Sequence, residues 1–214
     1  MILRCIPGGI FLTNCYILGD EKTKEGILID PGEQIDDILD EVKRSGLKIT
    51  KIVNTHTHID HVAGAEVAKK ALEVGFYIHP EEVPVLRALP EAARRFPQFG
   101  NVEVPEVEGY FEEGDEVEIG SLRAKVLHTP GHTWGSICLV IGDIVISGDT
   151  LFAGSVGRVD LTGGTSMAEL VGSIKSKLMS LPDSYKVYPG HGPATTIGIE
   201  RKSNPFITGG FSFF

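Results

Sequence analysis

The stretch Thr55-His56-Thr57-His58-Ile59-Asp60-His61 decides how this chain is interpreted, because it places four potential metal ligands within six residues. Imidazole and carboxylate groups suit zinc, iron or manganese. Four such side chains on one turn cannot all reach a single ion comfortably, whereas they can be divided between two ions about 3.5–4 Å apart. The segment therefore predicts a binuclear metal site.

Five short apolar runs of this chain end in residues that can bind a metal. One run precedes the segment above, and the others lead into Asp30, into His128 and His132, into Asp149, and into His191. If these runs are strands of a shared sheet, their carboxyl ends meet at one edge, where ligand sites of α/β proteins lie. His132, Asp149 and His191 each follow a glycine, which lets the backbone approach a site closely. We therefore predict that these three join the upstream ligands.

Composition limits the function classes. The chain has 214 residues, 42% of them hydrophobic, and a formal net charge of −9. This acidity argues against a nucleic-acid partner, since such binding depends on clustered Lys and Arg. Cys5, Cys15 and Cys138 form no CxxC pair and are expected to be buried free thiols. Without a leader-like N-terminus or an apolar run of roughly 20 residues, we expect a cytoplasmic protein with no membrane partner.

The order of elements predicts an α+β fold. Helical spacing of apolar residues indicates helices over 33–45, 62–74, 81–88 and 167–178, and Gly142-Asp143 indicates a hairpin. Residues 89–108 carry three prolines and are predicted to be an irregular surface excursion. One domain over 1–214 is expected, with similar halves at about 1–108 and 109–214. Two sheets face to face with helices outside would bury both faces of each sheet.

The sequence resembles the metallo-β-lactamase superfamily. The resemblance rests on Thr55–His61 followed in order by Gly131-His132, Gly148-Asp149 and Gly190-His191. Within that superfamily the chain is similar to short, single-domain proteins of the glyoxalase II (hydroxyacylglutathione hydrolase) branch. The segments that carry this closer similarity are Thr13–Tyr16, Leu28–Gly32, His128–Thr133, Ser147–Phe152 and Pro189–Pro193.

The resemblance implies a fold and a ligand set. The fold would be the four-layer αββα sandwich, with two mixed sheets between outer helices. Two divalent cations would be bound, most simply zinc, with iron or manganese as the other options. The ligands would be His56, His58 and His132 for the first cation, Asp60, His61 and His191 for the second, and Asp149 as the bridge between them.

The resemblance also implies a reaction. Two cations would lower the pKa of a shared water, so that hydroxide could attack the carbonyl of a small-molecule thioester such as S-lactoylglutathione. Asp60 would help to orient that hydroxide, and Asp149 would hold the cations together. Outside the ligand set, Asp30 is expected to orient ligand histidines or their loops. Arg158 is expected to pair with Asp160 and hold its loop, or else to face substrate.

Two alternatives stay open at this point. The same superfamily contains iron-dependent persulfide dioxygenases, whose ligands here would be His56, His132 and Asp149. A non-catalytic metal-binding protein is the other alternative. Longer glyoxalase II enzymes contact glutathione through a C-terminal helical region, and this chain, which reaches Phe214 soon after the last predicted ligand, is expected to lack those contacts. The true substrate, the metal and the oligomeric state are therefore left open by the sequence.

Overall fold

Two six-stranded sheets form the centre of the structure, a computed structural model that describes residues 1–210. The first sheet is antiparallel from its first to its third strand and parallel from its third to its sixth. Its strands, in spatial order, are β1 (Ile2–Gly8), β2 (Thr13–Gly19), β3 (Glu25–Ile29), β4 (Lys48–Val53), β5 (Gly75–Ile78) and β6 (Gly109–Tyr110).

The second sheet is drawn from the later part of the chain, and only one of its strand pairs, β10 with β13, is parallel. Its strands, in spatial order, are β14 (Thr195–Thr196), β13 (Lys186–Pro189), β10 (Ile144–Gly148), β9 (Ile137–Ile141), β8 (Leu122–His128) and β7 (Glu116–Ile119). A small separate ribbon pairs β11 (Leu151–Phe152) with β12 (Ser155–Val156).

The helices are short, and none among residues 1–210 combines the length and apolarity that a bilayer crossing requires. Single turns of 3-10 helix cover Pro80–Glu82 and Pro97–Phe99, and a π-helical turn covers Ile174–Leu178. The α-helices are α1 (Ile35–Ser45), α2 (Ile59–Val62), α3 (Ala65–Leu72), α4 (Val83–Arg87), α5 (Leu89–Arg95), α6 (Met167–Ser173), α7 (Ile197–Ser203) and α8 (Pro205–Thr208).

The core has three apolar layers, one between the two sheets and one between each sheet and its covering helices. Side chains that alternate along the strands contribute to different layers. In β2, Tyr16 and Leu18 face the second sheet, whereas Ile17 packs beneath the helices that cover the first sheet. In β9, Leu139 points between the sheets, whereas Cys138 lies under the helices on the far side. This alternation is the period-two pattern of strands that are buried on both faces. The predicted αββα sandwich is thereby confirmed.

Two sequence expectations are wrong. The stretch 89–108 is not irregular throughout, since it begins with α5 and continues with the turn Pro97–Phe99. Pro90 lies in the first turn of α5 and Pro97 begins the 3-10 turn, positions where proline starts a helix rather than breaking one. The expectation of three buried thiols also fails at Cys5, which is exposed on the edge strand β1.

The carboxyl ends of five strands meet at one edge of the sandwich. β3 and β4 in the first sheet and β8, β10 and β13 in the second all end there, as the run-and-ligand pattern predicts. Backbone hydrogen bonds join the two sheets at this edge, from the amide of Asn14 to the carbonyl of Gly190 (2.7 Å) and from Ile137 to Thr55 (2.9 Å). The loops that follow these strands therefore converge on one site.

The layer between the sheets should dominate stability. Leu139 is fully buried there, so Leu139→Ala should lower the free energy of unfolding by about 2–5 kcal/mol, through lost burial and a residual cavity. Val67→Ala is the matched control, because Val67 is 48% exposed on α3 and should change stability by less than about 0.5 kcal/mol. Urea denaturation of both variants measures the difference, and equal midpoints would contradict this picture of the core.

Candidate metal centre

Five histidines and two aspartates face one another at the shared edge of the sheets. Each comes from the loop or short helix that directly follows a strand end. His56 and His58 follow β4, Asp60 and His61 lie on α2, His132 follows β8, Asp149 follows β10, and His191 follows β13.

The first group of ligand atoms belongs to three histidines. Nε2 of His132 lies 2.9 Å from Nδ1 of His58 and 3.2 Å from Nε2 of His56. His56 and His132 are buried, whereas His58 is partly open to the cleft. These three nitrogens are close enough to share one cation.

The second group contains one carboxylate and two imidazoles. Oδ2 of Asp60 lies 3.2 Å from Nε2 of His191 and 3.6 Å from Nε2 of His61. The two imidazole nitrogens are 3.4 Å apart. The hydroxyl of Thr13 donates a hydrogen bond to Oδ2 of Asp60 (2.9 Å), which fixes the carboxylate from the side of β2. This group could also share one cation.

Asp149 lies between the two groups. Its Oδ2 is 3.5 Å from Nε2 of His132 in the first group and 3.4 Å from Nε2 of His191 in the second. Its Oδ1 is 3.3 Å from Nε2 of His61 and is a buried oxygen without a hydrogen-bond partner in the described structure. A carboxylate in this position can contribute to both groups at once.

Each histidine in the centre has an inner ring nitrogen that faces the other ligand atoms and an outer ring nitrogen that faces away from them. Every outer nitrogen donates a hydrogen bond. Four of the acceptors are carbonyl or carboxylate oxygens, which can only accept. The fifth, the hydroxyl of Thr55, donates to Oδ2 of Asp30 (2.6 Å) and so accepts from His56. The five pairs are His56 Nδ1 with Thr55 Oγ1 (3.2 Å), His58 Nε2 with Thr162 O (2.8 Å), His61 Nδ1 with Asp30 Oδ2 (3.0 Å), His132 Nδ1 with Arg158 O (2.6 Å), and His191 Nδ1 with Phe11 O (3.0 Å).

This pattern fixes the tautomer of each neutral ring and leaves its inner nitrogen with a lone pair. Five lone pairs and two carboxylates then converge with few donors between them. Such a set is repulsive by itself and becomes favourable around cations, which is the usual arrangement of metal-binding histidines and their partners. The residues present therefore fit two divalent cations.

Burial and neighbouring carboxylates shift the pKa values of four histidines in the centre. Burial lowers the pKa of His132 to about 4 and holds that of His56 well below its usual range. For His191, burial opposes protonation, but the carboxylates of Asp149 and Asp60 outweigh it and raise its pKa to about 9. The same carboxylates raise the pKa of His61 well above its usual range, again against burial. In metal-free protein, protons on these two rings thus take the place of cationic charge.

Asp30 supports the centre from beneath. It is buried at the end of β3, with a left-handed backbone (φ 52°) that is rare outside glycine. Its Oδ1 accepts from the amide of Thr55 (2.7 Å), and its Oδ2 accepts from His61 Nδ1 and the Thr55 hydroxyl. These contacts reach both His61 and, through Thr55, His56. They are the contacts that its predicted orienting role requires.

Arg158 acts on the centre through its backbone. Its carbonyl accepts the hydrogen bond from His132 Nδ1. Its guanidinium forms two hydrogen bonds to Asp160 (2.9 and 2.8 Å), as the sequence suggested, and both side chains are exposed. The ion pair lies on the surface of the loop whose carbonyl accepts from the histidine.

Sequence reasoning missed Glu82, a fully buried carboxylate that joins two ligand loops. Its Oε2 accepts from the amide (2.7 Å) and the hydroxyl (2.8 Å) of Thr57, which stands between His56 and His58. Its Oε1 accepts from the amide of Gly135 (3.0 Å), three residues after His132. No motif marks Glu82, and the only signal in the sequence is an acidic residue beside a strand end.

A separate cluster of His79, Glu81 and His128 does not form a comparable site. The two imidazoles stack face to face, with centroids 3.9 Å apart and planes 13° apart, and Nδ1 of His79 accepts a hydrogen bond from the amide of Glu81 (3.2 Å). His128 Nε2 donates to the carbonyl of Trp134 (2.8 Å). His128 thus makes a structural hydrogen bond, and Trp134 is 40% exposed and lies outside the lining of the cleft.

Comparison with known proteins places this geometry in context. The family model described as "Metallo-beta-lactamase superfamily" matches residues 8–191. Hydroxyacylglutathione hydrolase GloC of Haemophilus influenzae is 33% identical over 211 residues, which cover 97% of this chain and 98% of that protein. Two solved structures superpose closely along almost the whole chain. They are BLEG-1 B3 metallo-beta-lactamase (34% identity, TM-score 0.88, 97% of this chain and 100% of that one) and TTHA1623 in a di-iron-bound form (36% identity, TM-score 0.85, 95% and 99%).

The contacts of Glu82 predict a selective metal defect. Glu82→Gln keeps one acceptor oxygen, which cannot serve both Thr57 and Gly135, so affinity for one cation should fall about 10- to 100-fold. Glu200→Gln is the matched control, because Glu200 is equally buried but accepts from Thr195 and Gly154. Metal content per chain after dialysis against a weak chelator measures the difference. Equal retention in both variants would show that Glu82 does not support the centre.

The raised pKa values predict proton release on metal binding. At pH 7, below the pKa of about 9 for His191 and below that of His61, both rings are protonated in metal-free protein. Because ligands must be deprotonated, metal binding at pH 7 should release about two protons, and fewer as the pH rises past 9. Calorimetric titration of zinc in buffers of different ionisation enthalpy measures this number. A heat that does not depend on the buffer would contradict the prediction.

Proposed function

We propose that this chain, which belongs to the metallo-β-lactamase superfamily, is a binuclear metal-dependent hydrolase that acts on a thioester. Membership of the superfamily is shown by the family match over residues 8–191 and by the 33% identical hydroxyacylglutathione hydrolase. Under the proposal, His56, His58 and His132 bind one cation and Asp60, His61 and His191 bind the other. Asp149 serves both.

One observation carries the proposal. Asp149 lies within 3.5 Å of ring nitrogens from both ligand groups, and it has a buried oxygen without a hydrogen-bond partner. A closed structural site would need only four ligands around one ion, whereas seven side chains meet here. The partial exposure of His58, Asp60 and His191 leaves one side of the centre open to substrate. These features favour a catalytic centre over a non-catalytic metal site.

The chemistry divides between the cations and the protein. When bound, two divalent cations lower the pKa of water so that hydroxide is available near neutral pH, and they stabilise charge on a carbonyl oxygen. Asp60 accepts a hydrogen bond from the Thr13 hydroxyl, and its pKa is lowered to about 2. The carboxylate therefore stays ionised and can orient a water proton. In metal-free protein burial opposes this ionisation and the neighbouring His61 charge outweighs it, and in the loaded centre a cation would take the place of that charge. No side-chain nucleophile is required.

Support for a thioester comes from the relatives. GloC is described as a hydroxyacylglutathione hydrolase, which makes S-lactoylglutathione the first substrate to test. A thiolate leaves without prior protonation, which suits a cleft whose ligand histidines are all engaged. The metal is proposed as zinc, with iron as the first alternative because a 36% identical structure is in a di-iron-bound form.

Two other functions are separable by experiment. The similarity to BLEG-1, described as a B3 metallo-beta-lactamase, favours hydrolysis of a β-lactam amide as a second candidate. Iron at the centre would instead suit a persulfide dioxygenase. A purified sample of known metal content is therefore assayed with S-lactoylglutathione, with a chromogenic cephalosporin, and for oxygen uptake with glutathione persulfide. Thiol release must exceed turnover in the other two assays for the proposal to stand.

The central ligand supplies a direct test. Asp149→Asn should lower kcat/KM for S-lactoylglutathione by more than the ~100-fold typical of outer partners of a metal site, because it removes a charge from both ligand groups. Asp143→Asn is the control, since Asp143 lies exposed in the β9–β10 turn. Thiol release, assayed alongside metal content, measures the effect. Undiminished activity of Asp149→Asn would refute the assigned centre.

A further inference from the structure

The metal centre opens into a cleft of about 680 Å³, which is lined both by the ligand groups and by apolar residues. The apolar residues form a wall of the cleft, built mainly by the loop between β1 and β2 and by α4 and α5. The wall consists of Phe11, Val85, Leu89, Ala92 and Phe96, with Phe152 beside the ligands.

Aromatic rings form part of that wall. Phe11 and Phe96 meet edge to face, with centroids 5.8 Å apart and planes at 87°, and Phe99 supports Phe11 at 6.0 Å. Despite this packing, Phe11 is 42% exposed and Phe96 is 37% exposed. The remaining apolar ring surface faces the cleft that leads to the ligands. Contact with a ligand would remove that surface from water, which is favourable.

The charged side chains of the cleft outside the ligand groups balance one another. Arg95 pairs with Glu91 one turn away on α5, and Arg158 pairs with Asp160 (2.8 Å). Two positively charged and two negatively charged side chains therefore line this part of the cleft, which leaves no excess positive charge to bind a polyanionic substrate. The surface that remains without a partner is aromatic.

We propose that Phe11 and Phe96 determine specificity, by binding an aliphatic or aromatic group of the thioester while its carbonyl lies at the metal centre. The inference rests on the proposed thioesterase function and adds a substrate class to it. The preferred substrates carry an uncharged apolar group on the acyl side or on the thiol side. Phe96 belongs to the helical segment 89–99 and Phe11 to a separate loop, so the two segments together form the binding wall.

The test uses thioesters matched in leaving-group chemistry. In the acyl arm, acetyl and hexanoyl thioesters of N-acetylcysteamine are compared. In the thiol arm, acetyl thioesters of N-acetylcysteamine and N-hexanoylcysteamine are compared, and S-lactoylglutathione is the charged reference. Wild-type enzyme should show a kcat/KM at least about tenfold higher for the hexanoyl member of one arm, since apolar groups in such pockets contribute gains of this size. The arm that responds identifies which half of the substrate contacts the wall.

Variants of the wall make the assignment specific. Phe96→Ala should reduce the preference for the hexanoyl member about tenfold, mainly through KM, and leave the acetyl thioester within about twofold. Phe11→Ala should reduce the same preference by a similar factor, and its metal content shows whether the Phe11 carbonyl still holds His191. Phe96→Leu should restore most of the preference, because an apolar side chain remains. Tyr110→Ala is the matched control, since Tyr110 is a 51% exposed aromatic residue on β6 outside the cleft. Circular dichroism and metal content show whether each variant is folded and loaded, and Phe11→Ala serves if Phe96→Ala is not.

The outcomes separate this inference from the function on which it rests. Hydrolysis of every thioester at a similar kcat/KM, or an equal loss on all substrates in Phe96→Ala, would overturn the role of the aromatic wall and leave the thioesterase intact. Absence of hydrolysis of any thioester by metal-loaded wild type would overturn both. A preference that Phe11→Ala and Phe96→Ala abolish and Tyr110→Ala does not would support the proposal.

Discussion

The structure depends on how the outer nitrogens of five histidines are bonded. Each donates a hydrogen bond to an oxygen that is fixed by the fold, and each ring must therefore direct a lone pair inward. With Asp60 and Asp149 added, the inward-facing atoms of the neutral rings create a negative potential, which protons on His61 and His191 offset in metal-free protein. The proposed affinity for cations follows from this hydrogen bonding around the centre.

The sandwich fold meets this constraint through strand ends. The loops after β4, β8, β10 and β13 bring ligands from both sheets to one edge, and the ends of β3 and β5 bring Asp30 and the segment of Glu82 beneath them. Close approach requires small residues, since a Cβ atom at Gly190 would collide with Oδ1 of Asp149. Buried carboxylates then connect loops that are far apart in sequence. The fold positions the ligands, and these outer contacts orient them.

The meeting of these seven side chains could be predicted from the sequence because their pattern is local, and their role as metal ligands stays a prediction. The density of His and Asp alone identifies the segment 55–61 as a candidate site. A preceding glycine marks each of His132, Asp149 and His191. The supporting contacts are harder to predict, since Glu82 acts on Thr57 and Gly135 only after folding brings them together. The wall of the cleft is equally hidden, because Phe11 and Phe96 are far apart in the chain. The prolines of 89–108 also mislead, as two of them begin helical turns.

The proposed centre is defined by the number and position of its cations. Anomalous diffraction from crystals of zinc-loaded protein, recorded on both sides of the zinc absorption edge, tests it most directly. Two peaks per chain are predicted, one among His56, His58 and His132 and the other among Asp60, His61 and His191, with Asp149 between them. A single peak, or zinc bound away from these side chains, would contradict the account.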